Sequence, residues 1–272
     1  MGVISRITII ISAISAVFES DVKKVVALST LRQLGVMMLA ISVGAISVCF
    51  FHLVSHALFK ALMFLCVGGV IHFTGVQDLR YLGGLINTRP VIISWLGVAC
   101  FSLMGFPFIS GFYSKDLVLE AFLSGGLNIV LCFMVVLSTC LTAIYRGWLI
   151  YGVFFSSINF SSGFSIISNS FLTIPCSVLG VGAVVGGMRM QCLILEFNIS
   201  FEVLGMVKLV PFGCVVIGIT GLVIYIILLN LIIFRSSNLF NTTGMVALKD
   251  SLAKIWFIPR LRSDFFSGGV LK

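Results

Sequence analysis

Residues 49–71 read CFFHLVSHALFKALMFLCVGGVI, an apolar run that contains three ionisable side chains. A run of about 20 apolar residues can cross a membrane as one helix. His52, His56 and Lys60 recur every four residues, so on an α-helix they form one stripe with a rise of roughly 6 Å per step. Ionisable groups within a membrane span usually face a protein interior and mark a proton or ion path. We therefore expect this helix to lie in a bundle and the stripe to belong to a proton path.

The composition of the whole chain is that of an integral membrane protein. Of its 272 residues, 60% are hydrophobic and only 10% are charged, whereas soluble domains carry roughly 25% charged residues. The net charge of +8 does not indicate a nucleic-acid partner, because the basic residues lie mostly between apolar runs. The cysteines are scattered and form no CxxC pair, which predicts free buried thiols rather than disulfides.

The chain contains seven candidate membrane crossings separated by polar breaks. They are residues 3–18, 29–48, 49–71, 91–123, 128–154, 170–187 and 205–234. The second and third runs meet near Gly44, which predicts a tight antiparallel pair. The glycine-rich run GVGAVVGG at 180–187 lacks the context of a dinucleotide site and predicts close helix packing. The predicted fold is an all-α, polytopic membrane bundle at 1–234, followed by a basic surface or interfacial tail at 235–272.

The basic residues between these runs are divided unequally between the two sides. Twelve Lys and Arg residues, with Arg32 and Arg146 among them, are assigned to the side reached after odd-numbered crossings, and three, including Arg6, to the other. By the positive-inside rule, the more basic side faces the cytoplasm or a mitochondrial matrix. An odd number of crossings preserves this bias.

The fourth run, 91–123, is too long for one straight crossing and contains Pro107 between two glycines. Proline removes a backbone donor and clashes with the preceding turn, so a broken helix is predicted. Lys115 and Asp116 follow the break, in the sequence GFPFISGFYSKD. Discontinuous helices form ion sites in transporters. We therefore expect Lys115 and Asp116 to act as a functional pair.

Each of these candidate sites also has a simpler explanation. The two histidines of the stripe would be core residues bonded to carbonyls, with Lys60 extending to an interface, or ligands of a metal that lacks a nearby third ligand. Lys115 and Asp116 would be an ion pair at a helix end. Glu120 would either join that pair or lie at headgroup level. The proton path is favoured because the three titratable groups share one face and histidine exchanges protons near neutral pH.

Four stretches carry a resemblance to a known family: DVKKVVALSTLRQLGVMM, FHLVSHALFKALMFLCVGGVIH, QDLRYLGGL and MGFPFISGFYSKDLVLE. In this order they closely resemble the subunit 5 family of mitochondrial NADH:ubiquinone oxidoreductase, respiratory complex I. This is an antiporter-like family, similar to the large subunits of multisubunit cation/proton antiporters. The resemblance covers residues 15–125. It implies the second of two inverted helical repeats, each of which has a broken helix.

The resemblance also implies roles for the site residues. His52, His56 and Lys60 match connecting residues of a half-channel, and Lys115, with Asp116 beside it, matches the broken-helix lysine through which the proton leaves. Protons would cross the mitochondrial inner membrane from the matrix to the intermembrane space. NADH, flavin, iron–sulfur clusters and ubiquinone would be bound by partner subunits, and this chain would hold neither cofactor nor metal. The implied partners are other complex I membrane subunits, especially the neighbouring antiporter-like subunit, together with membrane lipid.

The chain departs from this family in its length. Whole members are much longer, and the first inverted repeat has no counterpart here, so we expect a fragment or one part of a split subunit. Two other functions remain open. One is a cation/proton antiporter subunit of the same family, and the other is a structural membrane scaffold without transport.

Overall fold

The computed structural model describes residues 2–124, 129–155, 170–195 and 205–239, and these residues are helical apart from short connections. The helices are α1 (Gly2–Phe18), α2 (Val22–Ser42), α3 (Ile46–Thr74), α4 (Leu85–Thr88), α5 (Pro90–Met104), α6 (Ser110–Ser124), α7 (Ile129–Ile150), α8 (Ser170–Leu195) and α9 (Gly205–Leu239). A π-helical turn, Tyr151–Phe155, continues α7. The predicted all-α fold is confirmed.

Five of the helices are long and apolar enough to cross a membrane. These are α2, α3, α8, α9 and the continuous segment formed by α7 and its π-helical turn. The two remaining predicted crossings correspond to α1, of 17 residues, and to the successive helices α5 and α6. The protein is therefore a multi-pass membrane bundle. Helix α9 continues to Leu239, past the predicted boundary at 234, and the rest of the predicted tail lies outside the described residues.

The predicted break in the fourth crossing is confirmed. Helix α5 ends at Met104, Gly105 adopts a left-handed φ of 85°, and α6 begins at Ser110. The two helices approach very closely beyond the break, because a Cβ on Gly111 would lie 1.7 Å from the carbonyl oxygen of Ser102. Only glycine fits at position 111 in this arrangement.

Helices α2 and α3 form the predicted antiparallel pair, joined by residues 43–45. The predicted start of α2 at residue 29 was wrong, because the helix begins at Val22. Lys23 and Lys24, which were assigned to a connection, lie in its first turn. Both are exposed there, and the Nζ atom of Lys24 lies 2.8 Å from Asp21 Oδ2. Lysines in a first turn can reach solvent, so their charge does not exclude the residues from the helix.

Three arginines that were counted toward one side of the membrane or the other are buried inside helices. Arg6 in α1, Arg32 in α2 and Arg146 in α7 are 7%, 1% and 0% exposed. Their assignment to a side was wrong, because they lie within crossings and do not count toward the charge difference between the two sides. A bundle interior can hold a guanidinium within a crossing.

The glycine-rich part of α8 packs closely on the broken helix, as predicted. A Cβ on Gly180 would lie 2.1 Å from Trp95 in α5, and one on Gly187 would lie 2.3 Å from the Cα of Ser110 at the start of α6. Small residues at these two positions let the helix backbones approach. Helix α8 thereby contacts both halves of the broken crossing.

Candidate functional site

The predicted stripe lies on α3 and faces the interior of the bundle. His52 and Lys60 are buried and His56 is half-buried. The ring centroids of His52 and His56 are 6.1 Å apart, and His56 makes an edge-to-face contact with Phe59 at 5.4 Å. The four-residue spacing therefore places all three groups along one face that packs against other helices.

Lys60 is held by α2 and does not extend to a membrane interface. Its Nζ atom donates a hydrogen bond to the carbonyl oxygen of Val26 at 2.7 Å and another to the hydroxyl of Ser29. The side chain is 4% exposed. Both acceptors are neutral, so this amine is bound by hydrogen bonds rather than by an ion pair.

The stripe is joined to the broken helix through His52. Its Nδ1 atom lies 3.0 Å from the hydroxyl oxygen of Ser114, which can donate or accept depending on the tautomer of the ring. Ser114 directly precedes Lys115 in α6. One hydrogen bond therefore connects the face of α3 that carries the stripe to the segment that carries the second candidate group.

Lys115 binds the backbone at the break. Its Nζ atom donates to the carbonyl oxygen of Met104 at 2.6 Å, one of the carbonyls that the end of α5 leaves without a helical partner. Asp116 is also buried, but no oxygen of its carboxylate lies within 4 Å of the amine of Lys115. The two residues are neighbours in the interior without forming the direct ion pair of the simpler explanation. Glu120 is buried one turn further along α6 rather than exposed.

Sequence reasoning missed two buried cations beside the stripe. Arg146 donates from Nη1 to the Sδ atom of Met63 at 2.7 Å, and its guanidinium lies 5.1 Å from the centre of the Tyr145 ring. Arg32 donates from Nη2 to the hydroxyl of Ser138 at 3.4 Å. Arg146 falls inside the predicted crossing at 128–154, and Arg32 inside the one at 29–48. A charged residue within a predicted crossing is the sequence feature that could have identified them.

Backbone hydrogen bonds join the connection before α2, at 19–21, to the connection after α3, at 75–84. Val22 N donates to the carbonyl of Gln77, and Leu79 N donates to that of Ser20, both at 3.0 Å. The hydrogen bond from Lys24, and then one from Asp78, lowers the pKa of the Asp21 carboxyl below its usual range. Burial, together with the bond to Asp21, raises the pKa of Asp78. The pKa values of these two neighbouring carboxyls are therefore shifted in opposite directions.

The arrangement contains a row of groups that can donate and accept protons. From Ser29 and Lys60 it passes along the face of α3 to His52, and from there through Ser114 to Lys115. A hydrogen bond spans roughly 3 Å, so transfer between the two histidine rings, 6.1 Å apart, requires ring rotation or one bridging water. Among the residues that the structure describes, no group of three His, Cys, Asp or Glu side chains is placed to hold a metal ion.

Comparison with known proteins identifies similar sequences. The family model described as NADH:quinone oxidoreductase/Mrp antiporter, TM, matches residues 1–142. NADH-ubiquinone oxidoreductase chain 5 of Anopheles gambiae is 38% identical over 94% of this chain and 43% of its own length. The chain 5 protein of Locusta migratoria is 35% identical over 97% of this chain and 46% of its own. This chain therefore spans less than half the length of these curated relatives.

Solved structures share the fold. The Mrp complex of Dietzia sp. contains a chain with a TM-score of 0.62 and 19% identity, covering 80% of this chain and 48% of that chain. Respiratory complex I of Thermus thermophilus gives a TM-score of 0.60 at 21% identity, covering 71% and 44%. An archaeal membrane-bound sulfane sulfur reductase gives 0.63 at 28% identity, covering 70% and 33%.

Proposed function

This chain belongs to the NADH:quinone oxidoreductase/Mrp antiporter transmembrane family, and from that premise we propose that it moves protons across the mitochondrial inner membrane as part of respiratory complex I. The relatives named NADH-ubiquinone oxidoreductase chain 5 support this assignment. NADH oxidation and ubiquinone reduction take place in other subunits, which bind the flavin and the iron–sulfur clusters. The partners of this chain are other membrane subunits of the complex, especially a neighbouring antiporter-like subunit.

The observation that carries the proposal is the 3.0 Å contact between His52 Nδ1 and Ser114 Oγ. It supports a route from one helix to the next within the bundle. Lys60 receives a proton, His56 and His52 relay it, and Lys115 takes it up at the break. Histidine suits the relay because one ring nitrogen accepts while the other donates.

The final step uses the acidic end of this route. Lys115 gives up its bond to the Met104 carbonyl and passes its proton toward Asp116 and then Glu120, which follow along α6 in the interior. A carboxylate near an amine stabilises the charged form of that amine. At the next step the carboxylate accepts the proton that the amine releases. No redox centre is needed in this chain, because each transfer in the route moves only a proton.

The test compares lysine variants in the assembled complex. Lys60→Met and Lys115→Met remove an amine and keep much of the side-chain volume, while Lys23→Met removes an exposed amine and serves as the control. We expect both buried variants to lower proton translocation per NADH oxidised several-fold, measured in vesicles with a pH-sensitive dye, and the control to match the wild type. Unchanged translocation in an assembled Lys115→Met complex would favour a scaffold role.

A second candidate function is cation/proton exchange. It is favoured by the match to the Mrp complex of Dietzia sp., which covers 80% of this chain. Exchanging sodium for potassium in the same vesicles distinguishes the two functions. Proton movement that stays the same in both salts supports the complex I assignment, and a requirement for one cation supports the exchanger.

A further inference from the structure

Arg146 carries a positive charge that the described part of the chain does not pair. Its guanidinium is fully buried in α7, and no carboxylate oxygen of a described residue lies within 4 Å of it. The Nη1 atom donates to the sulfur of Met63, a weak acceptor, and Nε and Nη2 donate to no acceptor in the described ranges. A charge buried in this way is costly, so hydrogen bonding and packing do not account for this arginine.

The guanidinium is bound to the face of α3 that carries the proton route. Met63 follows Lys60 by three residues and His56 by seven, and residues at these spacings share one face of a helix. Among the charges of the described residues, that of Arg146 acts most strongly on Lys60, whereas Lys60 acts on His56 more strongly than Arg146 does. Arg146 therefore faces the stripe at its Lys60 end.

This contact lies on the more basic side of Lys60. Helix α3 ends on that side at Thr74, and Met63 is nearly one turn closer to that end than Lys60. The proposed route also starts on that side, so Arg146 repels a proton on Lys60 more strongly than one on His56. Arginine does not release its proton in proteins. The guanidinium is therefore no relay, and its repulsion is permanent.

The other neighbours of Lys60 do not oppose its charge. The oxygens of Val26 and Ser29 in α2 accept hydrogen bonds from its amine, and neutral acceptors stabilise an ammonium group. From α5, the thiol of Cys100 acts on both Lys60 and Arg146, and an ordinary thiol is neutral at pH 7. With these neighbours alone, Lys60 would keep its proton rather than pass it on.

We propose that Arg146 is a positioning residue for proton transfer, whose fixed charge on the more basic side of Lys60 drives the proton toward His56 and hinders its return. In this transfer an Nζ–H bond of Lys60 breaks, a ring nitrogen of His56 takes the proton, directly or through one water, and no electron moves. The inference rests on the proposed function, because it concerns the same route. It supplies a direction, since a row of hydrogen bonds alone conducts a proton equally well either way.

The test measures protons moved per NADH oxidised by the assembled complex in vesicles, with the pH of the uptake side varied from about 6 to about 10. Arg146→Met and Arg146→Gln remove the charge, and Gln keeps an N–H donor toward Met63. Without the repulsion, Lys60 holds its proton to a higher pH. The ratio should therefore fall several-fold near pH 7, and its alkaline limit should move up by about 1 pH unit.

Two controls isolate the charge of Arg146. Arg146→Lys keeps a positive charge at the same position and should restore the wild-type pH profile. Arg189→Met removes an exposed guanidinium from α8, changes the net charge by the same amount and should leave the profile unchanged. A merely structural defect would lower the ratio at every pH without moving its alkaline limit.

Four results would overturn the inference. The first is a wild-type profile in an assembled Arg146→Met or Arg146→Gln complex. The second is an Arg146→Lys profile that matches Arg146→Met, since the shape of the guanidinium would then matter rather than its charge. The third is the same shift from Arg146→Met when Lys60→Met is also present, because the charge would then act elsewhere. The fourth is failure of both charge-removing variants to assemble while Arg146→Lys assembles, which would assign the charge to the fold.

Lys60→Met alone distinguishes this inference from the proposed function. Unchanged translocation in that variant contradicts the proton route itself. Lowered translocation in Lys60→Met, combined with a wild-type profile in Arg146→Met, contradicts only the role of Arg146.

Discussion

Replacing Gly111 with alanine should separate the two halves of the broken crossing. The added Cβ would lie 1.7 Å from the carbonyl oxygen of Ser102, whereas a carbon and a carbonyl oxygen in contact need about 3.3 Å. The start of α6 must therefore move by about 1.6 Å away from α5. Neither contacting atom can rotate out of the way, because one is fixed to the backbone and the other belongs to it.

This movement would disturb both hydrogen bonds that meet at the break. The bond from Lys115 to the Met104 carbonyl of α5 is 2.6 Å, so an extra 1.6 Å takes it beyond the limit of a hydrogen bond, and the 3.0 Å contact from His52 to Ser114 would lose its present geometry. Overpacking costs about 1–3 kcal/mol, and the lost bond from a charged donor costs about 1.5–3 kcal/mol. A misplacement of roughly 1 Å can lower the rate of a positioned transfer about 100-fold.

The assay measures proton translocation and NADH:ubiquinone reductase activity in the same vesicles, together with thermal unfolding of the complex. We expect Gly111→Ala to assemble with a lowered Tm and with translocation reduced far more than electron transfer. Gly68→Ala in α3 is the matched control, since a Cβ there meets no atom within 4 Å. Wild-type translocation and Tm in an assembled Gly111→Ala complex would refute the reasoning.

Three further predictions concern packing, buried charge and pH. Gly187→Ala places a methyl group 2.3 Å from the Cα of Ser110 and should lower the Tm, corresponding to about 1–3 kcal/mol; an unchanged Tm would contradict the close packing of α8. Arg146→Met replaces a fully buried guanidinium whose described contacts are a sulfur atom and the Tyr145 ring, with no carboxylate among them, so stability should be unchanged or higher, and a lowered Tm would indicate that the charge is needed. Because burial raises the pKa of Asp78, its stabilising proton is fully bound below pH about 4 and is lost as the pH rises through the raised pKa. Asp78→Asn should therefore remove this fall in Tm with rising pH, despite the opposite dependence of Asp21, and an unchanged pH profile would contradict the raised pKa of Asp78.

The sequence predicted the features in which a charge interrupts an apolar run. The stripe on α3 and the break before Lys115 are visible because hydropathy, helical period and proline chemistry are local properties. The start of α2 was misplaced because Lys23 and Lys24 were read as a connection. In the folded chain they extend from the first helical turn to solvent.

The contacts between helices could not be predicted in the same way. Nothing near Ser114 distinguishes it from other serines until α3 and α6 are packed together. Arg32 and Arg146 were visible inside predicted crossings, but only the fold shows their burial and their partners. The residues that connect the candidate groups are therefore the part of the site that depends on tertiary structure.

Lys60 and Lys115 are both held by neutral oxygen atoms, the carbonyls of Val26 and Met104 and the hydroxyl of Ser29. An amine paired with a carboxylate would leave a bare anion in the low-dielectric interior when its proton departed, and that anion would oppose the departure. A carbonyl keeps its dipole but gains no charge when the amine becomes neutral. These two lysines can therefore alternate between charged and neutral forms against a backbone that does not change with them.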